Sequence, residues 1–179
     1  MKGVTLVEML VVITIFSLVV GAVFQLFLTT LSFQRKILKE QEVLDELGYA
    51  IEYMGRALRM AKKDDVIINK ISRSCLSGDK VNYYVTSSES EIQFRSAPDQ
   101  CQRFYLSQGS IYEKNGLPLT SPKIKINSLK FKIKGETQND TFQPMVTVII
   151  EAQTREEDPI KVTVQTTISQ RDLDVVLER

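Results

Sequence analysis

The chain has 179 residues, 23 Lys and Arg against 22 Asp and Glu, and neither His nor Trp. That length suffices for one domain with its own core, and the near balance of charge gives no global pull toward nucleic acid or a lipid surface. Without histidine, the commonest general base, the commonest metal ligand and every Ser-His or Cys-His nucleophile pair are missing. The two cysteines, Cys75 and Cys101, cannot alone make a four-ligand structural zinc site. An enzyme, a metal centre and a cofactor are therefore not expected.

Charge is spread unevenly. Residues 1–31 hold two formal charges, Lys2 and Glu8, while the other 148 residues hold 43. From Met9 to Leu28 the chain is apolar except for Thr14, Ser17, Gly21 and Gln25. Twenty helical residues span about 30 Å, the depth of a bilayer's hydrocarbon layer. Hydroxyls can bond back to their own helix backbone, so Thr14 and Ser17 do not oppose a transmembrane helix. Glu8 lies just inside the apolar run. A carboxylate within a membrane costs about 3 kcal/mol or more at a helix centre. Glu8 therefore either sits at the interface beside Lys2 or has a specific partner.

The run Gly3-Val4-Thr5-Leu6-Val7-Glu8-Met9-Leu10, followed at once by the apolar stretch, resembles the prepilin peptidase site of type IV pilins and type II secretion pseudopilins. The resemblance implies cleavage between Gly3 and Val4, methylation of the new N-terminal Val4, and a leader of residues 1–3. It also implies that Glu8 faces the N-terminal amine of a neighbouring subunit in an assembled filament. The implied partners are other pilins, prepilin peptidase and an inner-membrane assembly platform. Val4 stands where the family most often has Phe, and Gly21 lies in the region where the family's helix often carries Pro. A competing signal, Val20-Gly21-Ala22, has the small-residue pattern of a signal peptidase site. Against it, the apolar run continues to Leu28. Counting Arg35, Lys36 and Lys39 against Lys2 places the larger region on the cytoplasmic side. The resemblance places it outside, and that placement is the one expected.

Past the apolar stretch, Phe33, Ile37, Leu44, Leu47, Ile51, Met54, Leu58 and Ala61 recur at helical spacing, with charged residues on the remaining faces. One helix is expected from about Thr5 to about Lys62, about 85–90 Å if straight. Its apolar stripe would lie on a following sheet or, alternatively, in a coiled coil with another subunit.

From Lys80 the period becomes two. Lys80–Val85, Glu91–Arg95, Gln102–Leu106, Lys123–Ile126, Leu129–Lys134, Val146–Ala152 and Ile160–Ser169 read as strands, with Gln108-Gly109 and Asn115-Gly116 as turns around Ile111-Tyr112. Short runs joined by tight turns imply an antiparallel sheet. The expected fold is α+β and pilin-like. It comprises a leader at 1–3, an assembly helix at 4–31, its amphipathic continuation at 32–62 and a sheet domain at 63–179. Arg56-Ala57-Leu58-Arg59-Met60-Ala61, Leu129-Lys130-Phe131 and Thr166-Thr167-Ile168-Ser169-Gln170-Arg171 look like J-type pseudopilins and W-type minor pilins, which implies a subunit at a filament tip.

Three further features admit two readings each. In an extracytoplasmic domain, Cys75 and Cys101 are expected to form a disulfide; the alternative is two reduced thiols. Lys123, Lys125, Lys130, Lys132 and Lys134 alternate with apolar residues. They form either a solvated sheet face or a surface for DNA phosphates or an acidic partner. Glu156-Glu157-Asp158-Pro159 is either a polar turn or part of a calcium site. The leading functional expectation is a structural subunit of a type IV pilus, competence pilus or secretion pseudopilus. The second is a membrane-tethered module that binds DNA or a secreted substrate.

Overall fold

The structure, a computed structural model, describes residues 3–62, 82–98, 100–114, 116–135 and 142–171. It divides into two compact units, Met1–Lys39 and Glu40–Arg179. A single helix, α1, runs Leu6–Arg59. Thr5 caps it: the Glu8 backbone N–H donates to Thr5 Oγ1 at 3.3 Å, which satisfies one of the N–H groups that every helix start leaves open.

In the first unit, every side chain from Gly3 to Thr30 is exposed. The segment is long and apolar enough to cross a membrane, and none of its apolar window is buried. Its hydroxyls are satisfied locally. Thr14 donates to the Val11 carbonyl, Ser17 to Ile13, Thr29 to Gln25 and Thr30 to Leu26, at 2.8–2.9 Å. Each therefore avoids the cost of an unpaired polar group in hydrocarbon.

The second unit is built on two antiparallel sheets. The first is a meander of β1 (Tyr83–Val85), β2 (Glu91–Arg95), β3 (Cys101–Ser107) and β4 (Ser110–Glu113). The second is β5 (Ile124–Lys134), β6 (Met145–Thr154) and β7 (Lys161–Ser169). The expected α+β architecture is present, but the one meandering sheet is in fact two. The two expected strands at 123–126 and 129–134 are one, interrupted by a register shift between Ile126 and Ser128. The extra residue of that bulge keeps Ile124, Ile126, Leu129 and Phe131 all facing inward. At the β3–β4 turn, Gln108 and Gly109 both have positive φ, 48° and 74°. That is the conformation two-residue hairpins require.

The core is the inner face of both sheets against one side of α1. Leu47, Met54, Leu58 and Ala61 are fully buried, as their spacing predicts, together with Tyr83, Phe94, Phe104, Phe131 and Val148. Each large side chain so buried contributes about 1.5–3 kcal/mol. Val43 and Ala50 are also fully buried and complete the stripe. Phe33, Ile37 and Leu44 do not join it, being 63%, 38% and 42% exposed.

The C-terminal end of α1 is held by distant parts of the chain. The Tyr83 hydroxyl donates to the Leu58 carbonyl at 2.8 Å. The Arg171 N–H donates to Arg59 at 2.9 Å, and Gln170 Nε2 to Ala61 at 2.8 Å. The carbonyls that a helix end leaves open are thereby filled by β1 and the end of β7. The helix stops at Arg59 rather than Lys62, because Lys62 leaves it to bridge Arg95 of β2.

Candidate functional site

The first turn of α1 and the residues before it form one candidate site. Gly3, Val4 and Thr5 are non-helical and exposed, so the Gly3–Val4 peptide bond is accessible. A Cβ added at Gly3 would meet no atom within 4 Å. Nothing in the fold itself therefore demands glycine at that position. Glu8 is the acid of the first turn, where the partial positive charge of the helix start favours a carboxylate by about 0.3–1 kcal/mol. Its side chain is exposed and has no partner among the described residues. Thr5 and Glu8 stand at the spacing of a capping box. Of its two bonds, the structure contains the one to Thr5 Oγ1.

The lysines separate into two places. Lys125, Lys130, Lys132 and Lys134 share the exposed outer face of β5. Lys123 precedes the strand and pairs with Glu42 of α1 at 2.6 Å, and the hydrogen bond it donates to that carboxylate raises its pKa. It therefore stands apart from the other four. Lys161 joins them: it opposes Gln153 of β6, which opposes Lys125. Its membership was hidden because it comes from another strand.

Cys101 is the first residue of β3, opposite Arg95, and Cys75 lies outside the described residues. Glu156, Glu157 and Asp158 form the exposed turn between β6 and β7. Among the described residues, no group of three or more His, Cys, Asp and Glu is placed to hold a metal ion.

Two polar clusters were not foreseen. Glu113, at the end of β4, is buried. It accepts from the Tyr53 hydroxyl at 2.9 Å and from Gln102 Nε2 at 3.0 Å. The carboxylate's hydrogen bond, followed by burial, raises the Tyr53 pKa. On the outer face of the first sheet, Tyr105 and Tyr112 stack with centroids 5.7 Å apart, and the Arg103 guanidinium lies 4.8 Å from the Tyr105 ring. Their outward positions on β3 and β4 were the available signal, but pairing across strands depends on register.

Residues 1–24 match a family model described as the prokaryotic N-terminal methylation motif. No curated protein and no solved structure matches the chain. Residues 1–24 thus carry the N-terminal signal found in type IV pilins and pseudopilins.

Proposed function

We propose that the protein is a minor pilin or pseudopilin, held in a membrane by residues 4–31 with its sheet domain on the extracytoplasmic side. In this reading it is a structural subunit and not an enzyme. Prepilin peptidase cuts between Gly3 and Val4, and the exposed Val4 amine is then methylated. The subunit assembles with other pilins on an inner-membrane platform.

The observation that carries this reading is Glu8, the one acid in an exposed apolar stretch, with no partner among the described residues. In a filament, the amine on Val4 of a neighbouring subunit supplies the missing charge. Two buried charges that are each costly alone become tolerable together. Any other axial stagger leaves both unpaired, so the pair also sets the register. Gly3 supports the same reading. Its requirement has no source within the fold, as befits a residue read by a processing enzyme. In an oxidising compartment, Cys75 and Cys101 are joined as a disulfide. The late-helix and last-strand resemblances favour a place at a filament tip.

Intact mass and N-terminal sequencing of the protein purified from membranes test the processing steps. The expected chain begins at methylated Val4. Recovery of a functional protein that retains residues 1–3 would overturn the reading.

A further inference from the structure

Strand edges in the Glu40–Arg179 unit differ in how they are closed. β1 is only three residues long. The outer edge of β4 is covered, since the Leu119 N–H donates to the Ile111 carbonyl at 2.8 Å and the Glu113 N–H to Leu117 at 3.2 Å. The outer edge of β5 donates to the turns of the first sheet, at Gly109 and Glu89. β7 differs from all three. Among the described residues, no backbone group on its outer edge has a partner. The ladder shows which groups these are. The Ile160 carbonyl accepts from the Thr154 N–H, and the Gln170 N–H donates to Pro144. Residues of an antiparallel strand alternate between their two neighbours. The even-numbered residues therefore bond toward β6. Lys161, Thr163, Gln165, Thr167 and Ser169 turn both N–H and C=O to the open side.

β7 also lacks the devices that keep an edge from pairing. It has no proline, its register with β6 has no bulge, and its one charge, Lys161, stands at its start. Val162, Thr163, Val164, Thr166, Thr167 and Ile168 are β-branched, which suits them to a sheet. Its inner side is unfinished. Ile150 and Val148 of β6 are 0% and 1% exposed, whereas Val164 and Thr166 opposite them are only half-buried, as is Val162.

We propose that the open edge of β7 receives an extended segment of another protein chain, uncharged at its centre and apolar at alternate positions, as a fourth strand of the second sheet. Donor and acceptor groups that repeat every two residues, about 7 Å apart, match extended backbone. A helix spends its own backbone groups internally and offers none to such an edge. Apolar residues at alternate positions close over Val162 and Val164, and a slip of one residue would turn them to solvent. A second copy pairing antiparallel through β7 would bring its own α1 to the inner side of the sheet. There α1 already stands over Ile168, whose Cδ1 lies 3.7 Å from where a Gly55 Cβ would be. A segment with no helix attached meets no such obstacle. This holds for a filament subunit and for a tethered module alike.

The test uses the full-length chain in detergent micelles, with a synthetic copy of Lys161–Ser169 as the probe. Amide hydrogen exchange is read residue by residue. At saturating peptide, exchange at Thr163, Gln165 and Thr167 should slow at least about tenfold. Two N-methylated peptides identify the cause. Methyl groups at the peptide positions equivalent to Val162, Val164 and Thr166 leave the side toward β7 intact and block stacking of further peptides, so protection should persist. Methyl groups at the positions equivalent to Thr163, Gln165 and Thr167 remove the bonding N–H groups, so protection should vanish. In the protein, Gln165→Pro removes one open N–H and leaves the β6 ladder whole. It should weaken peptide binding about tenfold. A thermal melt checks that this variant folds, and the peptide pair decides the matter if it does not. Equal protection by both methylated peptides, or none by either, would overturn the proposal. So would concentration-dependent protection of the same amides without peptide, which would assign the edge to a second copy.

Discussion

Replacing Tyr83 with Phe removes one oxygen from the junction between β1 and the end of α1 and leaves the ring in place. The Tyr83 side chain is fully buried and donates to the Leu58 carbonyl at 2.8 Å. A buried hydrogen bond is worth about 0.5–1.5 kcal/mol net, and stranding its partner costs about 1–3 kcal/mol. The Leu58 carbonyl is not stranded, because it also accepts from the Ala61 N–H at 3.2 Å. The cost should therefore fall at the low end, about 1 kcal/mol, or about 2–4 °C in Tm for a chain of this size. Burial also pushes the Tyr83 pKa well above the ordinary tyrosine value. Above about pH 10 the unfolded chain releases this proton while the folded chain retains it. The stabilisation is thus present below pH 10 and is lost as pH rises further. Tyr83→Phe lacks this linkage. The gap between wild type and variant, measured by thermal unfolding of the full-length protein, should narrow from pH 8 to pH 11 and then reverse. The tyrosines shared by both proteins cancel in that difference. A gap that stays constant across this range would refute the reasoning, as would a loss well above 3 kcal/mol at neutral pH.

Gln170→Ala should cost more than Tyr83→Phe, about 2 kcal/mol by the same melt. The buried Ala61 carbonyl loses its Gln170 Nε2 donor, and removal of the unpaired Gln170 Oε1 offsets only part of the loss. Glu8→Gln should abolish co-purification with sister subunits while shifting the melting of the sheet domain little, since its contribution to its own helix is only about 0.3–1 kcal/mol. Cys75→Ser should lower stability by about 3–4 kcal/mol on the chain-entropy estimate for a loop of this length, and reductant should shift the wild-type melt equally. Gly109→Val should cost about 1–2 kcal/mol, because φ there is 74° and a Cβ would come within 3.2 Å of the Lys125 side chain. Hydrogen exchange at the β3–β4 hairpin would register that loss locally.

Most elements were legible because each strand and the helix carry their own periodicity. Glu91–Arg95 is β2 as expected, and the Gln108-Gly109 turn sits where its residues ask for positive φ. The second sheet was not legible. The period of two marks each strand but says nothing about which edges join, and β4 and β5 do not pair. Instead, turns of the first sheet meet the outer edge of β5, where Ile126 donates to Gly109 and Phe131 to Glu89, each at 2.8 Å. The stripe on α1 was half legible. Val43 and Ala50 are small enough to be passed over beside Leu44 and Ile51, yet the sheets contact their side of the helix. Glu113 looked like an ordinary strand-end acid until register and the Tyr53 hydroxyl gave it partners.

Residues with a purpose inside the fold are distinguishable here from residues whose purpose lies outside it. Gly109 is required by its own backbone angle, Tyr83 and Gln170 by open carbonyls, and Glu113 by a hydroxyl and an amide. Remove any partner and the need for the residue disappears. Gly3 has open space where its Cβ would be, and among the described residues Glu8 has no counter-charge and Met9–Leu28 is apolar with nothing to cover it. Selection for folding alone would favour alanine at the first, a neutral residue at the second and polar residues across the third. Each departure raises the free energy of the isolated chain, by up to several kcal/mol for an unpaired carboxylate in lipid. Such a cost persists only where something outside the chain offsets it. The three departures lie within the first 28 residues, in the order in which a peptidase, a neighbouring amine and a bilayer would meet them.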